Sequence, residues 1–170
     1  MTTIVGLQEH DRCTIGADAQ TSSGDRFYAS PRQPKVVDLF GALVACAGSG
    51  YACDVAMHRW RPPASTGIDT YKHMVTKVVP SLRAAFAEHD VTIKDDESFQ
   101  ALIAIEGEIF HIESDFTVLL RDDGMYAIGS GAAYAIGALH MGASIAEAIE
   151  IAAANDIYTS LPATVITQRR

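Results

Sequence analysis

Apolar and polar positions change period repeatedly along this chain, and each change predicts an element. Thr2 to Leu7 is rich in β-branched residues and reads as a strand, with Thr2, Ile4 and Gly6 on one face and Thr3, Val5 and Leu7 on the other. Parity carries weight here, because a shift of one residue turns every side chain to the opposite face. Glu9-His10-Asp11 is a polar turn into a second strand, Arg12 to Ala17, which ends at Asp18. Thr21 to Pro34 keeps neither the helical nor the strand period, holds Ser22-Ser23-Gly24-Asp25, Ser30-Pro31 and Gln33-Pro34, and predicts a loop long enough to line a pocket. Lys35 to Phe40 and Leu43 to Ala47 are the next strands, joined by a tight turn at Gly41-Ala42, and Gly48-Ser49-Gly50 switches the chain into a helix from about Tyr51 to Arg59. Arg61-Pro62-Pro63 stops that helix.

Helical spacing returns from Asp69 to His89 through Tyr71, Val75, Val78, Val79, Leu82 and Phe86, with a kink expected at Pro80. A charged connector, Asp90 to Glu97, leads into three strands, Phe99 to Ile105, Glu108 to Glu113 and Phe116 to Leu120, separated by Glu106-Gly107 and Ser114-Asp115. Met125 to Ile128 is another strand. Gly129-Ser130-Gly131 then opens an Ala-rich helix, Ala132 to Met141, with Ser130 as the expected N-cap. Ser144-Ile145-Ala146-Glu147 is a capping box for a helix reaching about Ala154 with a buried stripe of Ile145, Ala148, Ile149 and Ala152. After Asn155-Asp156, Ala163 to Thr167 is the final strand.

Composition narrows the class. With 48% hydrophobic and 20% charged residues over 170 positions, the chain is globular and is expected to form a single domain over 1–170. A net charge of -8 gives no general attraction to nucleic acid or anionic lipid. No apolar run is long enough to span a bilayer and the start lacks the pattern of a signal peptide, so a cytoplasmic protein is expected. Cys13, Cys46 and Cys53 show no CxxC spacing and sit in apolar stretches, as buried thiols do in a reducing compartment. The six histidines show neither an HExxH pattern nor a pairing with cysteine, which argues against zinc, and the glycine turns lack both the Walker lysine and the GxGxxG spacing.

One stretch carries chemistry of its own. Removal of Met1 would leave the Thr2 hydroxyl beside a free α-amine titrating at about 7.7 to 8.0, a nucleophile with its base attached. Read locally, Asp18 is a turn-initiating carboxylate, Lys35 a solvated strand end and Gly48 part of an ordinary strand-to-helix turn.

Taken together, Thr2-Thr3-Ile4-Val5, Ile15-Gly16-Ala17-Asp18-Ala19-Gln20, Lys35, Ala47-Gly48, Ala127-Ile128-Gly129-Ser130-Gly131 with Tyr134-Ala135, and Asn155-Asp156-Ile157-Tyr158-Thr159 resemble the β-type proteasome family, in particular its bacterial HslV peptidases. The resemblance spans nearly the whole chain and implies an α+β fold, the four-layer αββα sandwich of two antiparallel sheets of the N-terminal nucleophile hydrolases. It implies Thr2 as nucleophile, Lys35 as the charge that lowers the amine's pKa, Asp18 as its partner, the Gly48 N–H as oxyanion donor, and Ser130 and Asp156 as groups that orient the terminus. No cofactor is required for such chemistry, although the family's backbone carbonyls around Ala153 to Thr159 leave room for a monovalent cation. The implied partners are polypeptide substrate, further copies in a stacked homo-oligomeric ring of six or seven, and an ATP-dependent unfoldase of the HslU type. Two other functions stay open: a catalytically silent shell subunit, and a small-molecule amidase of the same fold.

Overall fold

A computed structural model describes residues 2–23, 26–30, 32–65, 67, 69–93 and 98–169. The chain begins with a hairpin of β1 (Thr3–Gln8) and β2 (Arg12–Ala17). Where a loop was expected from Thr21 to Pro34, the chain forms a second small hairpin, β3 (Gln20–Ser23) and β4 (Arg26–Ala29). Its strands are polar or exposed, and exposed strands need not alternate in hydrophobicity, so the period that marks a half-buried strand is missing. Gly24, Asp25 and Pro31 of that stretch lie outside the described residues.

Next come β5 (Val36–Leu39) and β6 (Ala42–Gly48), joined at Phe40-Gly41 rather than at Gly41-Ala42. Both turn residues have positive φ, the arrangement whose twist suits a two-residue hairpin. Helix α1 (Gly50–His58) follows. The predicted kinked helix is three pieces: α2 (Thr70–His73), a π-helical turn at Met74–Val78, and α3 (Val79–Glu88). Pro80 has no N–H to give a carbonyl in the preceding turn, and the wider turn sits immediately before it. The connector predicted over Asp90 to Glu97 falls partly outside the described residues.

Then β7 (Phe99–Ile105), β8 (Glu108–Ile112) and the short β9 (Val118–Leu119) form the expected meander. β10 (Met125–Gly129), α4 (Ala132–His140), α5 (Ile145–Asn155) and β11 (Thr164–Arg169) complete the chain. The capping box of α5 forms as predicted, with Ser144 and Glu147 satisfying each other's backbone N–H groups.

The strands assemble into one antiparallel sheet in the order β10-β1-β2-β11 and another in the order β5-β6-β7-β8-β9. Three apolar cores separate four layers. Ile4, Ile15, Leu43, Leu102, Ile109 and Tyr126 fill the space between the sheets. Val44, Ile103 and Phe110 on the outer face of the five-stranded sheet pack against Val55 of α1 and Leu82 of α3. Val5 packs with Leu139 of α4 and Ile149 of α5 on the far side of the other sheet. The expected αββα sandwich is therefore the observed one. Ile4 faces the second sheet and Val5 the helices, which is the parity read for β1. Among the described residues no helix is long and apolar enough to cross a membrane.

Candidate active site

Antiparallel pairing brings the start of β1, the end of β2, the end of β10 and the start of β11 to one end of the sandwich, since Ile4 opposes Ala17, Thr3 opposes Gly129 and Thr164 opposes Ala17. At the same end, β5 begins and β6 finishes. All six residues singled out from the sequence come together there.

Thr2 is buried at the head of β1. The Lys35 ammonium donates hydrogen bonds to Thr2 Oγ1 and to the Gln20 carbonyl, and lies 2.7 Å from Asp18 Oδ1. Lys35 is therefore no solvated strand end: it is 9% exposed, with Asp18 at 2%. Burial pushes the Lys35 ammonium below the usual lysine range, and the charge and hydrogen bond of Asp18 pull it part of the way back. Asp18 does more than start a turn. Its Oδ1 also accepts the Thr3 N–H at 3.0 Å, and its Oδ2 accepts the N–H groups of Gln20 at 2.9 Å and Ser160 at 3.3 Å. One carboxylate thus fixes the lysine and three backbone segments.

Gly48 lies opposite Phe99 at a position where the ladder bonds fall on either side, since Ser49 N–H donates to Ser98 O at 2.8 Å. In an antiparallel ladder that turns the Gly48 N–H away from β7. The residue has a φ of +109°, and a Cβ there would stand 1.9 Å from the Ser98 carbonyl oxygen, so only glycine fits. Thr2, Lys35, Cys46, Ala47, Gly48 and Cys53 are among the residues lining a cavity of about 320 Å³.

Behind Thr2 lies a second polar chain. The Thr2 carbonyl accepts the Ser130 N–H at 2.9 Å and, more weakly, the Ser130 hydroxyl at 3.4 Å. Gly129 allows that approach: at φ +90° a Cβ would lie 1.9 Å from the Thr2 carbonyl oxygen. Ser130 is not the N-cap expected of it; Gly131 holds that position, and the Ser130 hydroxyl instead donates to Asp156 Oδ2 at 2.7 Å. Thr159 donates to the same oxygen at 2.6 Å and also meets the Thr3 hydroxyl at 2.6 Å. Burial raises the Asp156 pKa, but the hydrogen bonds from Thr159, Ser130 and the Tyr158 N–H outweigh it, leaving the carboxyl below its ordinary value. Thr3, Gln20 and Thr159 stood in the matched motifs without a role of their own, and nothing marked Ser160, because their partners lie far away along the chain. Only the repeated Thr2-Thr3 and the proximity of Thr159 to Asp156 hinted at two of them.

Among the described residues, no group of three or more His, Cys, Asp and Glu is placed to hold a metal. In the stretch 153–159 the Asp156 and Ile157 carbonyls already accept the Thr159 N–H and the Gln20 side-chain amide.

No protein-family model matches the chain. Its architecture is nevertheless shared with solved structures. Thiobacillus denitrificans BPH in complex with epoxomicin superimposes with a TM-score of 0.81 at 23% identity, covering 98% of each chain. HslV from Trypanosoma brucei gives 0.69 at 18% identity over 99% of each chain. Anbu, the ancestral β-subunit, from Yersinia bercovieri gives 0.68 at 14%, covering 98% of this chain and 81% of that one. At these identities the likeness is one of fold, and the fold is the proteasome-type N-terminal nucleophile hydrolase fold that the three have in common.

Proposed function

We propose that the chain is a threonine-type peptidase subunit of a self-compartmentalised ring, hydrolysing unfolded polypeptide through an acyl-enzyme on Thr2. The observation that carries this reading is the bond from the buried Lys35 ammonium to Thr2 Oγ1 at the wall of an open cavity. A structure of the same fold holds epoxomicin.

Once Met1 is removed, the Thr2 α-amine would accept the hydroxyl proton, directly or through water, while Lys35 disfavours a second positive charge and draws the amine's pKa down. Thr2 Oγ1 attacks the peptide carbonyl. The Gly48 N–H, turned away from β7, would meet the developing oxyanion, an interaction whose loss typically costs about 2.7 to 4 kcal/mol. The protonated α-amine returns its proton to the leaving amine, and water then cleaves the ester by the reverse sequence. Asp18 keeps Lys35 paired despite its burial. Ser130, bridged to Asp156, holds the Thr2 carbonyl so that the terminus points into the cavity.

A homo-oligomeric ring of six or seven, supplied with unfolded chains by an unfoldase of the HslU type, is part of the same proposal. In its support, Tyr134, Met141, Ile151 and Ile157 leave large apolar side chains exposed along and beyond α4 and α5. Intact mass before and after incubation with epoxomicin tests the chemistry. Loss of Met1 with one adduct mapped to Thr2 is the expected result, together with a Thr2→Ala protein reduced in peptidase activity on the order of 10⁴-fold or more. Retained Met1 with no adduct would move the assignment to a silent shell subunit. Labelling of Thr2 with turnover of small amides alone would favour an amidase.

A further inference from the structure

Two thiols share the cavity with Thr2, and no step above uses them. Cys46 lies on β6 and Cys53 on α1, and the turn at Gly48-Ser49-Gly50 folds the helix back over the strand. The Cys46 and Cys53 side chains line the cavity together and belong to the same apolar core, where α1 packs over β6. Cys53, at 8% exposed, is the more open of the two; Cys46 is at 3%. Lys35 lines the same cavity. Cys13 belongs to the core between the sheets and is remote from this pair in the fold.

We propose that Cys46 and Cys53 form an oxidation site on the substrate cavity, where a hydroperoxide converts the pair into a disulfide that ties α1 to β6. Cys53 reacts first. Its thiolate attacks the peroxide oxygen, an S–O bond forms as the O–O bond breaks, and the departing hydroxide or alkoxide takes up the thiol's proton. The Cys46 thiol then attacks the sulfenic sulfur, an S–S bond forms as the S–O bond breaks, and hydroxide leaves with the Cys46 proton as water. Two thiols are oxidised by two electrons in total and one hydroperoxide is reduced. The order follows from exposure, Cys53 being the more open of the two; the neighbouring Cys53 thiol and burial also hold the Cys46 thiol well above the usual thiol range, so it enters second.

The consequence for Thr2 rests on the peptidase reading. Cys46 stands two residues before Gly48, so a covalent tie to α1 pulls on the strand end that carries the oxyanion donor. Small displacements of a reacting site cost rate steeply.

The test uses the intact wild-type protein, reduced, exposed to hydrogen peroxide, quenched, denatured, alkylated and mapped as peptides. A linked Cys46–Cys53 pair with Cys13 still alkylated is expected. Recovery of Cys46 and Cys53 as separate alkylated thiols, or as unlinked sulfinic acids, overturns the proposal, and this decision needs no variant. Epoxomicin labelling of Thr2 should slow on the order of tenfold or more after peroxide and recover with dithiothreitol, whereas Cys53→Ser should label at its own rate before and after. A linked pair with unchanged Thr2 labelling overturns the coupling to the site. Absence of labelling in the reduced protein counts against the peptidase reading alone, because the mapping decides the thiol chemistry separately.

Discussion

The same strands make both ends of this sandwich, and the two ends spend their polar groups differently. At one end Thr2, Thr3, Asp18, Gln20, Lys35 and Thr159 are all buried, and their hydrogen bonds run from one element to another across the fold. At the opposite end Glu9 pairs with Arg12 and Arg121 with Asp123, close in sequence and largely exposed. The Arg121 bonds and the Met125 N–H draw Asp123 down to about 2, yet pairs of that kind add little to stability because water screens them and their side chains lose entropy. Burying charge is expensive and is tolerated only where every member finds a partner. The far end shows what this fold needs in order to close its turns; the Thr2 end shows a cost that closing turns does not require.

Substitutions should separate the two ends sharply. Asp18→Ala leaves the Lys35 ammonium buried without its carboxylate and strips an acceptor from three backbone N–H groups, so a loss of about 3 to 5 kcal/mol is expected in denaturant unfolding, with activity lost as well. Gly48→Ala forces a Cβ onto the Ser98 carbonyl and shifts the donor, lowering the peptidase rate on the order of 10² to 10³-fold with a smaller change in substrate affinity. Thr159→Val removes a hydroxyl shared by Thr3 and Asp156, and about 1 to 3 kcal/mol should follow. The sign with pH is set by Asp156. Its folded pKa is depressed, so its contribution is present above the unfolded value of about 3.9 and is lost as pH falls through the folded one. In Thr159→Val that folded pKa rises, and the acid unfolding midpoint should move to higher pH. At the far end, Arg121→Ala should leave peptidase activity within about twofold of wild type and the melting midpoint nearly unchanged. A large effect there would erase the contrast between the ends.

Legibility in the sequence followed the same division. Elements with a buried face announced themselves through β-branched and apolar runs or cap chemistry: β1 and β7, covered on both faces, β2, the β7 to β8 hairpin at Glu106-Gly107 and the Ser144 capping box all lie within a residue or so of where those signals put them. β3 and β4 did not, because exposed polar strands carry no hydrophobic alternation. The π-helical turn at Met74–Val78 was likewise hidden, since Pro80 signals a disturbance without saying how the helix accommodates it. Thr2 was singled out by its own chemistry, and Asp18, Lys35, Gly48, Ser130 and Asp156 through a resemblance of motifs; local chemistry alone made Lys35 a solvated residue and Ser130 a cap. Thr159 and Thr3 meet across 156 positions, a separation no local rule bridges.

A chain terminus is ordinarily the first part of a protein to fray. Here β1 is an interior strand, laddered to β10 on one side and β2 on the other. Amide hydrogens from Thr3 to Val5 should therefore exchange with solvent as slowly as those of the deepest core, through opening of the whole sheet rather than unzipping from the end. Thr2 is then held in place by cooperative folding itself; on the proposed peptidase reading, the freedom a mobile nucleophile would have to surrender at each turnover has been given up once, when the protein folded.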